Sequence, residues 1–279
     1  MKRIADVIGK TTFTWLDENV ACDVSLPAGM AAGEARALIS GLTEGLPVDI
    51  VIHDQANRKK KALIADMDST MIDQECIDEL AAEIGAKDKV AEITAKAMNG
   101  EIEFEPALRE RVALLKGLPA SISQQVIANR ITLASGGKTL VATMKHHGNW
   151  CTLVSGGFTL FTGPIGAMIG FDENHANILE TDNERLTGTV REPILGADAK
   201  VAALHAIAAR RNLSPADFIA VGDGANDLPM LETAGTGVAL HAKPSVAARA
   251  KIRIDHGDLT SLLYLQGYKR GEFRHAVTD

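Results

Sequence analysis

No run of apolar residues in this chain approaches the roughly 20 that a helix needs to cross a bilayer, so a membrane partner is not expected. The first ten residues, MKRIADVIGK, also lack the apolar core of a secretion signal. Basic charge is not in excess. Against 36 Asp and Glu stand 29 Lys and Arg, a formal net charge of −7, whereas a nucleic-acid binder usually shows a basic face. Cysteine is scarce: Cys22, Cys76 and Cys151 show no CxxC spacing and cannot all pair. That fits free thiols in a reducing cytoplasm better than a disulfide framework. Internal repeats and low-complexity segments are absent. What remains is an ordinary globular composition, 46% apolar and 23% charged over 279 residues, enough for one large domain or two modest ones.

The strongest stretch is KKKALIADMDST, residues 59–70. Four apolar residues bounded by charge read as a strand buried on both faces. The strand would end at Asp66 and leave Asp66 and Asp68 at its carboxyl edge, where open α/β sheets bind ligands. An Asp-rich turn with no chemistry is the plainer alternative. Ahead of it, residues 1–58 read as a small α+β unit. Strands are expected over 11–16, 21–26 and 48–53, with a helix over 32–45 that buries Ala35, Leu38 and Leu42. The polar, basic stretch 55–61 reads as a linker.

Downstream, helices are expected over 76–84, with Gly85 as C-cap, over 87–98, and from Glu105-Pro106, with Asn99-Gly100 as a turn. On the third helix Phe104, Leu108, Arg111 and Leu115 share one stripe. Arg111 is then either a side chain snorkelling at the stripe's edge or a guanidinium facing a pocket, able to fork onto a carboxylate. Residues 121–147 read as mostly helical with a break at Gly136-Gly137. Residues 150–154 form the next strand, running into Ser155-Gly156-Gly157 and a helix from Phe158. Such a turn offers N–H groups to an anion, although many strand–helix turns need glycine. Strands over 176–179 and 186–190 come next. Asp198 is expected to cap a helix over 199–211 with Val201, Leu204 and Ala208 inward. Lys200 would lie in its first turn, where the helix dipole disfavours a cation. A strand over 217–221 ends in Gly222-Asp223-Gly224-Ala225-Asn226-Asp227, again placing carboxylates after a buried run. Short strands at 237–240 and 252–254 close the sheet, and the tail past Gly267 is expected to fray.

Strands alternating with helices imply a three-layer α/β fold with a parallel sheet. Carboxylates at two strand ends offer the hard oxygens that Mg²⁺ prefers. With a lysine, a hydroxyl and free N–H groups nearby, they form a phosphoryl-transfer site, in which a carboxylate can also act as a covalent nucleophile.

Asp66-Met67-Asp68-Ser69-Thr70, Val154-Ser155-Gly156-Gly157, Lys200 and Gly222-Asp223-Gly224-Ala225-Asn226-Asp227 resemble, in order, the four motifs of the haloacid dehalogenase (HAD) superfamily. The longer strings DMDSTMIDQECIDELA, LVSGGF and VGDGANDLPML look like its phosphoserine phosphatase family, over roughly residues 62–265. The resemblance implies a Rossmann-like core of residues 59–72 and 136–279 under a helical cap of residues 73–135. It implies a Mg²⁺-dependent hydrolysis of O-phosphoserine, the last step of serine biosynthesis. In that chemistry Asp66 becomes an aspartyl-phosphate and Asp68 serves as acid, then base. Lys200 neutralises charge, while Ser155, Gly156 and Asn226 attend the phosphate and its surroundings. Mg²⁺ falls to the Asp66 carboxylate, the Asp68 carbonyl and Asp223. Glu75, Met98, Phe104 and Arg111 match the family's substrate pocket, with Glu75 toward the ammonium and Arg111 toward the carboxylate. Residues 1–58 match in placement the regulatory region of bacterial members, and a homodimer is left open.

Three alternatives stand beside this expectation: phosphoryl transfer to another alcohol such as homoserine, hydrolysis of another small phosphomonoester, and a non-catalytic amino-acid-binding regulator. Cys76 reads as packing, and the histidines show no zinc spacing.

Overall fold

The computed structural model describes residues 2–9, 11–98 and 101–275. The expected turn at Asn99-Gly100 and the side chain of Met98 lie outside the described residues. The N-terminal unit holds α1 (Lys2–Ile8), β1 (Phe13–Asp17), β2 (Ala21–Val24) and α2 (Ala32–Thr43). β1 and β2 pair antiparallel. On α2 the buried residues are Ala35 and Ile39, while Leu38 is 37% exposed. The inward face is therefore turned by one residue from the expected stripe. Residues 48–53 form no strand. Instead of joining a ladder they run along the larger domain, where the Asp49 carboxylate accepts the N–H groups of Asp255, His256 and Gly257. The expected linker is likewise pinned: Lys60 is 7% exposed and its N–H meets Gln266 Oε1.

The larger domain follows as β3 (Ala62–Ala65), α3 (Cys76–Ala82), α4 (Lys87–Met98), α5 (Phe104–Leu114), α6 (Ile122–Arg130), α7 (Gly137–His146), β4 (Trp150–Phe158), α8 (Thr159–Ile169) and β5 (Glu173–Asn177). Then come β6 (Leu179–Asp182), β7 (Arg185–Val190), α9 (Ala197–Arg211), β8 (Phe218–Gly222), α10 (Leu228–Thr233), β9 (Thr236–Leu240), α11 (Pro244–Ala247), β10 (Ile252–Ile254) and α12 (Ser261–Leu265).

Six strands form one parallel sheet in the order β10-β9-β8-β3-β4-β5. β3 sits inside it and every residue of β3 is buried. Side chains of a strand alternate between faces. Leu63 and Ala65 thus enter one apolar layer with α7, α8 and α12, and Ala62 and Ile64 enter the other with α9 and α10. This is the expected three-layer α/β architecture. Among the described residues, no helix is long and apolar enough to cross a membrane.

Helices α3–α6 stand off the sheet. Their two connections run side by side: Ile72 bridges Leu133, Asp73 N–H meets Thr132 O and Ala134 N–H meets Met71 O. The segment read as nearly continuous helix is thus split by an extended crossing between α6 and α7. Ile84 falls outside α3 and is 43% exposed, because the helix ends before Gly85, whose φ is +69°. The tail does not fray as far as residue 275. Tyr268 and Phe273 anchor it in the core, and Arg274 N–H meets Thr143 Oγ1.

Candidate active site

The sheet's carboxyl edge gathers the polar residues that the sequence placed at strand ends. Asp66 follows β3, its N–H still bonded to Val221 O at 3.0 Å. The chain then folds over the Met67 carbonyl, which accepts the N–H groups of Thr70, Met71 and Ile72. That turn brings Asp68 back toward α3, where its Oδ1 accepts the Cys76 N–H at 3.0 Å, a carboxylate at a helix N-terminus. Asp68 Oδ2 lies 3.3 Å from Ser155 Oγ. Ser69 sits at φ +55°, and its hydroxyl donates to Glu75 Oε1 at 2.6 Å.

Lys200 is completely buried, with Nζ 2.7 Å from Asp66 Oδ1 and 2.6 Å from Asp227 Oδ1. The cap of α9 is Gly196 rather than Asp198, and its inward stripe is Lys200, Leu204, Ile207 and Ala208. Val201 is only half-buried. Leu204 and Ala208 thus face inward as expected, and Lys200 takes the place expected of Val201. Ser155, Gly156 and Gly157 extend β4 instead of turning. A β-carbon on Gly156 would come 3.0 Å from the Phe104 ring, so any larger residue there would press on the ring where α5 approaches the sheet edge. Asn177, which sequence reasoning passed over, bonds Gly156 O, Leu195 O and Leu195 N–H.

Beyond β8, Asp227 Oδ2 accepts the N–H groups of Asp223 and Gly224. Thr70 Oγ1 donates to Asp223 Oδ1 at 3.2 Å. Carboxylate atoms of Asp66, Asp223 and Asp227 all lie within 4.8 Å of one another. Asp223 Oδ2 is buried without a hydrogen bond, its ion-pair neighbour Lys243 Nζ standing 3.6 Å off. A buried carboxylate oxygen left this way is costly unless a cation meets it. An all-oxygen donor set of this kind fits a divalent cation. Both oxygens of Asp227 are already engaged, whereas the Asp68 carboxylate points to Cys76 and Ser155, outside the cluster.

Burial governs the protonation of the site. Burial and then the Asp227 charge push Asp66 well above the usual aspartate range, against the pull of Lys200. Burial raises Asp68 despite the Cys76 hydrogen bonds. Asp223 is pushed up to about 7 by burial and by Asp227. Glu75 is pushed up to about 8 by burial and by Asp68. Burial would lower Lys200, but Asp227 and Asp66 outweigh it and hold its ammonium above the usual lysine value.

A cavity of about 210 Å³ lies between the sheet edge and α3–α5. Asp66, Asp68, Ser155, Gly156 and Asn226 line it from the sheet, and Glu75, Phe104 and Arg111 from the helices. Lys200 and Asp223 stand behind that wall, Lys200 meeting it through Asp66. The haloacid dehalogenase-like hydrolase family model matches residues 63–232. The chain belongs to the haloacid dehalogenase-like hydrolase family. A phosphoserine phosphatase of Archaeoglobus fulgidus is 44% identical over 214 residues, 76% of this chain. The chain spans only 62% of that relative's length. Among solved structures, a HAD family hydrolase from Salmonella enterica serovar Typhi matches at TM-score 0.84 and 32% identity, over 95% of this HAD hydrolase and 92% of that chain. The phospho-aspartyl intermediate analogue of a phosphoserine phosphatase matches at TM-score 0.70 and 39% identity, over 74% of this chain and 98% of that one.

Proposed function

We propose that this HAD hydrolase cleaves O-phosphoserine to serine and inorganic phosphate through an aspartyl-phosphate on Asp66. One observation carries the reading. A single small cavity holds Asp66, Asp68, Glu75 and Arg111 together, so a carboxylate nucleophile, an acid and two oppositely charged anchors face one ligand. The names of the relatives support the same substrate.

In this reading Arg111 forks onto the substrate carboxylate and Glu75 pairs with its ammonium, which fixes the phosphate over Asp66. Ser155 Oγ and the Gly156 N–H bind phosphoryl oxygens, and Asn226 lies beside them. The Asp66 carboxylate attacks phosphorus as the bond to the seryl oxygen breaks. Asp68 gives its proton to that oxygen, and burial, which raises its affinity for a proton, suits an acid. Water then attacks phosphorus, Asp68 takes its proton, and Asp66 is freed with release of phosphate. Lys200, held between Asp66 and Asp227, balances the charge on the nucleophile throughout. Mg²⁺ is the cation we assign to the acidic cluster; Asp66, Asp223 and the Asp68 carbonyl would hold it, and it would offset the phosphate's negative charge so that the anionic nucleophile can approach. Residues 73–135 act as the lid that excludes water.

A phosphate-release panel across small phosphomonoesters tests the proposal, run with Mg²⁺ and after chelation. O-Phosphoserine should give the highest kcat/KM, and chelation should remove the activity reversibly. Preference for an ester without an amino-acid head, or transfer to an added alcohol in place of water, would overturn it.

A further inference from the structure

We infer that Thr94, held by Asp78, is a positioning residue that sets the Arg111 guanidinium for the carboxylate of the substrate. The inference rests on the amino-acid reading of the cavity given above.

Three helices meet at this point. Asp78 comes from α3, Thr94 from α4 and Arg111 from α5. Thr94 is 3% exposed and Arg111 is 5% exposed. A buried arginine ordinarily has a carboxylate partner, yet among the described residues Arg111 has none within 4.0 Å. Its Nη1 donates to Thr94 Oγ1 at 3.0 Å and its Nε to Ala107 O at 3.0 Å. Thr94 Oγ1 in turn lies 2.8 Å from Asp78 Oδ1.

The donor count explains the arrangement. A guanidinium has five N–H groups. Two are engaged here, one on Nε and one on Nη1. The described residues offer no acceptor to the other three, one on Nη1 and two on Nη2. That is the set an end-on fork onto a carboxylate needs, one N–H from each terminal nitrogen. Fixing Nε and the other Nη1 hydrogen leaves the guanidinium plane one orientation, toward the cavity it lines.

The hydroxyl between the two charges is the decisive feature. Bonded directly to Arg111, Asp78 would occupy the fork and close the site to a ligand. Through Thr94, its charge, after that of Glu75, still helps offset the cost of burying the guanidinium, and the fork stays open. Thr94 Oγ1 also lies 3.0 Å from Val90 O. Turning its hydrogen there, as helical threonines commonly do, keeps a lone pair for Arg111 but loses the link to Asp78.

The experiment compares O-phosphoserine with O-phosphoethanolamine, which keeps the phosphate and ammonium and lacks the carboxylate. With Thr94→Val, kcat/KM for O-phosphoserine should fall about tenfold, mostly through KM, as loss of a charge-assisted hydrogen bond implies. For O-phosphoethanolamine it should move less than twofold. Thr94→Ser should recover most of the loss, and Asp78→Asn should show the same selectivity with a smaller effect. In an Arg111→Ala background, Thr94→Val should add nothing for O-phosphoserine. Equal losses on both esters, or none on either, would overturn the inference and leave Thr94 a packing residue. Equal use of the two esters by the unaltered protein would instead remove the amino-acid reading, and the inference with it.

Discussion

A β-carbon on Gly222 would fall 2.4 Å from the carboxyl carbon of Asp227. The last residue of β8 must therefore be glycine if the chain is to fold back beneath it. Because it does, Asp227 caps the N–H groups of Asp223 and Gly224 with one oxygen and meets Lys200 with the other. This contact places one of the two carboxylates that hold the buried lysine.

Gly222→Ala should push Asp227 away, and both of its hydrogen-bonding oxygens with it. We expect kcat to fall by about 10²-fold or more, on the scale of losing one preorganised charge partner. Stability should fall by about 1–3 kcal/mol from overpacking. Phosphate release and thermal unfolding, measured on the same preparation, check both. A variant with unchanged kcat would mean that Asp227 does not hold Lys200 in place.

Lys200→Met should be more severe. It leaves the Asp66 and Asp227 carboxylates buried without their cation, a loss of about 3–5 kcal/mol for broken buried pairs. Turnover should vanish, since Asp66 would gain a proton and cease to be a nucleophile. Adding Asp227→Asn should restore part of the stability and none of the activity. Urea unfolding of the single and double variants separates the two effects.

Lys200 also marks the limit of what sequence could deliver. Its break with the dipole rule was visible in the first turn of α9, and so were the buried runs of β3, β4 and β8 with polar residues at their ends. Those signals are local, because strand burial and helix periodicity repeat within a few residues. Its second partner, Asp227, is 27 residues away, and only the fold brings them together. Thr94 and Asp78 were missed for the same reason, since Thr94 meets Arg111 across 17 residues and Asp78 across 16. Residues 48–53 carry a strand's pattern, yet a strand exists only where a neighbour takes its N–H and C=O groups. The tail past Gly267 looked polar, and the two aromatics that anchor it were too few to form a pattern.

Substrate affinity should depend on pH through Glu75. Burial and Asp68 raise its carboxyl from the usual value near 4.5 to about 8, so the free enzyme holds it protonated at neutral pH. Pairing with an ammonium requires the carboxylate, and binding below pH 8 therefore releases a proton. KM for O-phosphoserine should fall as pH rises toward 8 and level off above, while Glu75→Gln should flatten the profile and raise KM. The stability sign is opposite. The folded value lies above the unfolded one, so the contribution is full below about 4.5 and is lost as pH rises through about 8. The ligand-free protein should accordingly unfold more readily at pH 8.5 than at pH 6, by less in Glu75→Gln. Thermal unfolding across that range checks the sign.

Arg58 is one of the ties, with Asp49 and Asp17, that attach residues 1–58 to the large domain. Its terminal nitrogens grip the Asp23 carboxylate at 2.6 and 3.0 Å, and its Nε and Nη2 reach the carbonyls of Leu265 and Tyr264 at 3.0 Å. Those carbonyls belong to the last turn of α12, where a helix leaves acceptors unpaired and favours positive charge. One side chain thus joins β2 to the large domain. Arg58→Ala should cost about 1–3 kcal/mol, the range for hydrogen bonds to charged groups, and should speed protease cleavage within residues 44–57 severalfold. Arg58→Lys should not rescue it, because an ammonium cannot reproduce the planar fork. Phosphate release should stay within twofold, since none of these atoms lines the cavity. Unchanged cleavage would show that the Asp49 contacts and the Tyr264–Asp17 hydrogen bond hold the N-terminal unit without Arg58; a large loss of turnover would show that the N-terminal unit shapes the site itself.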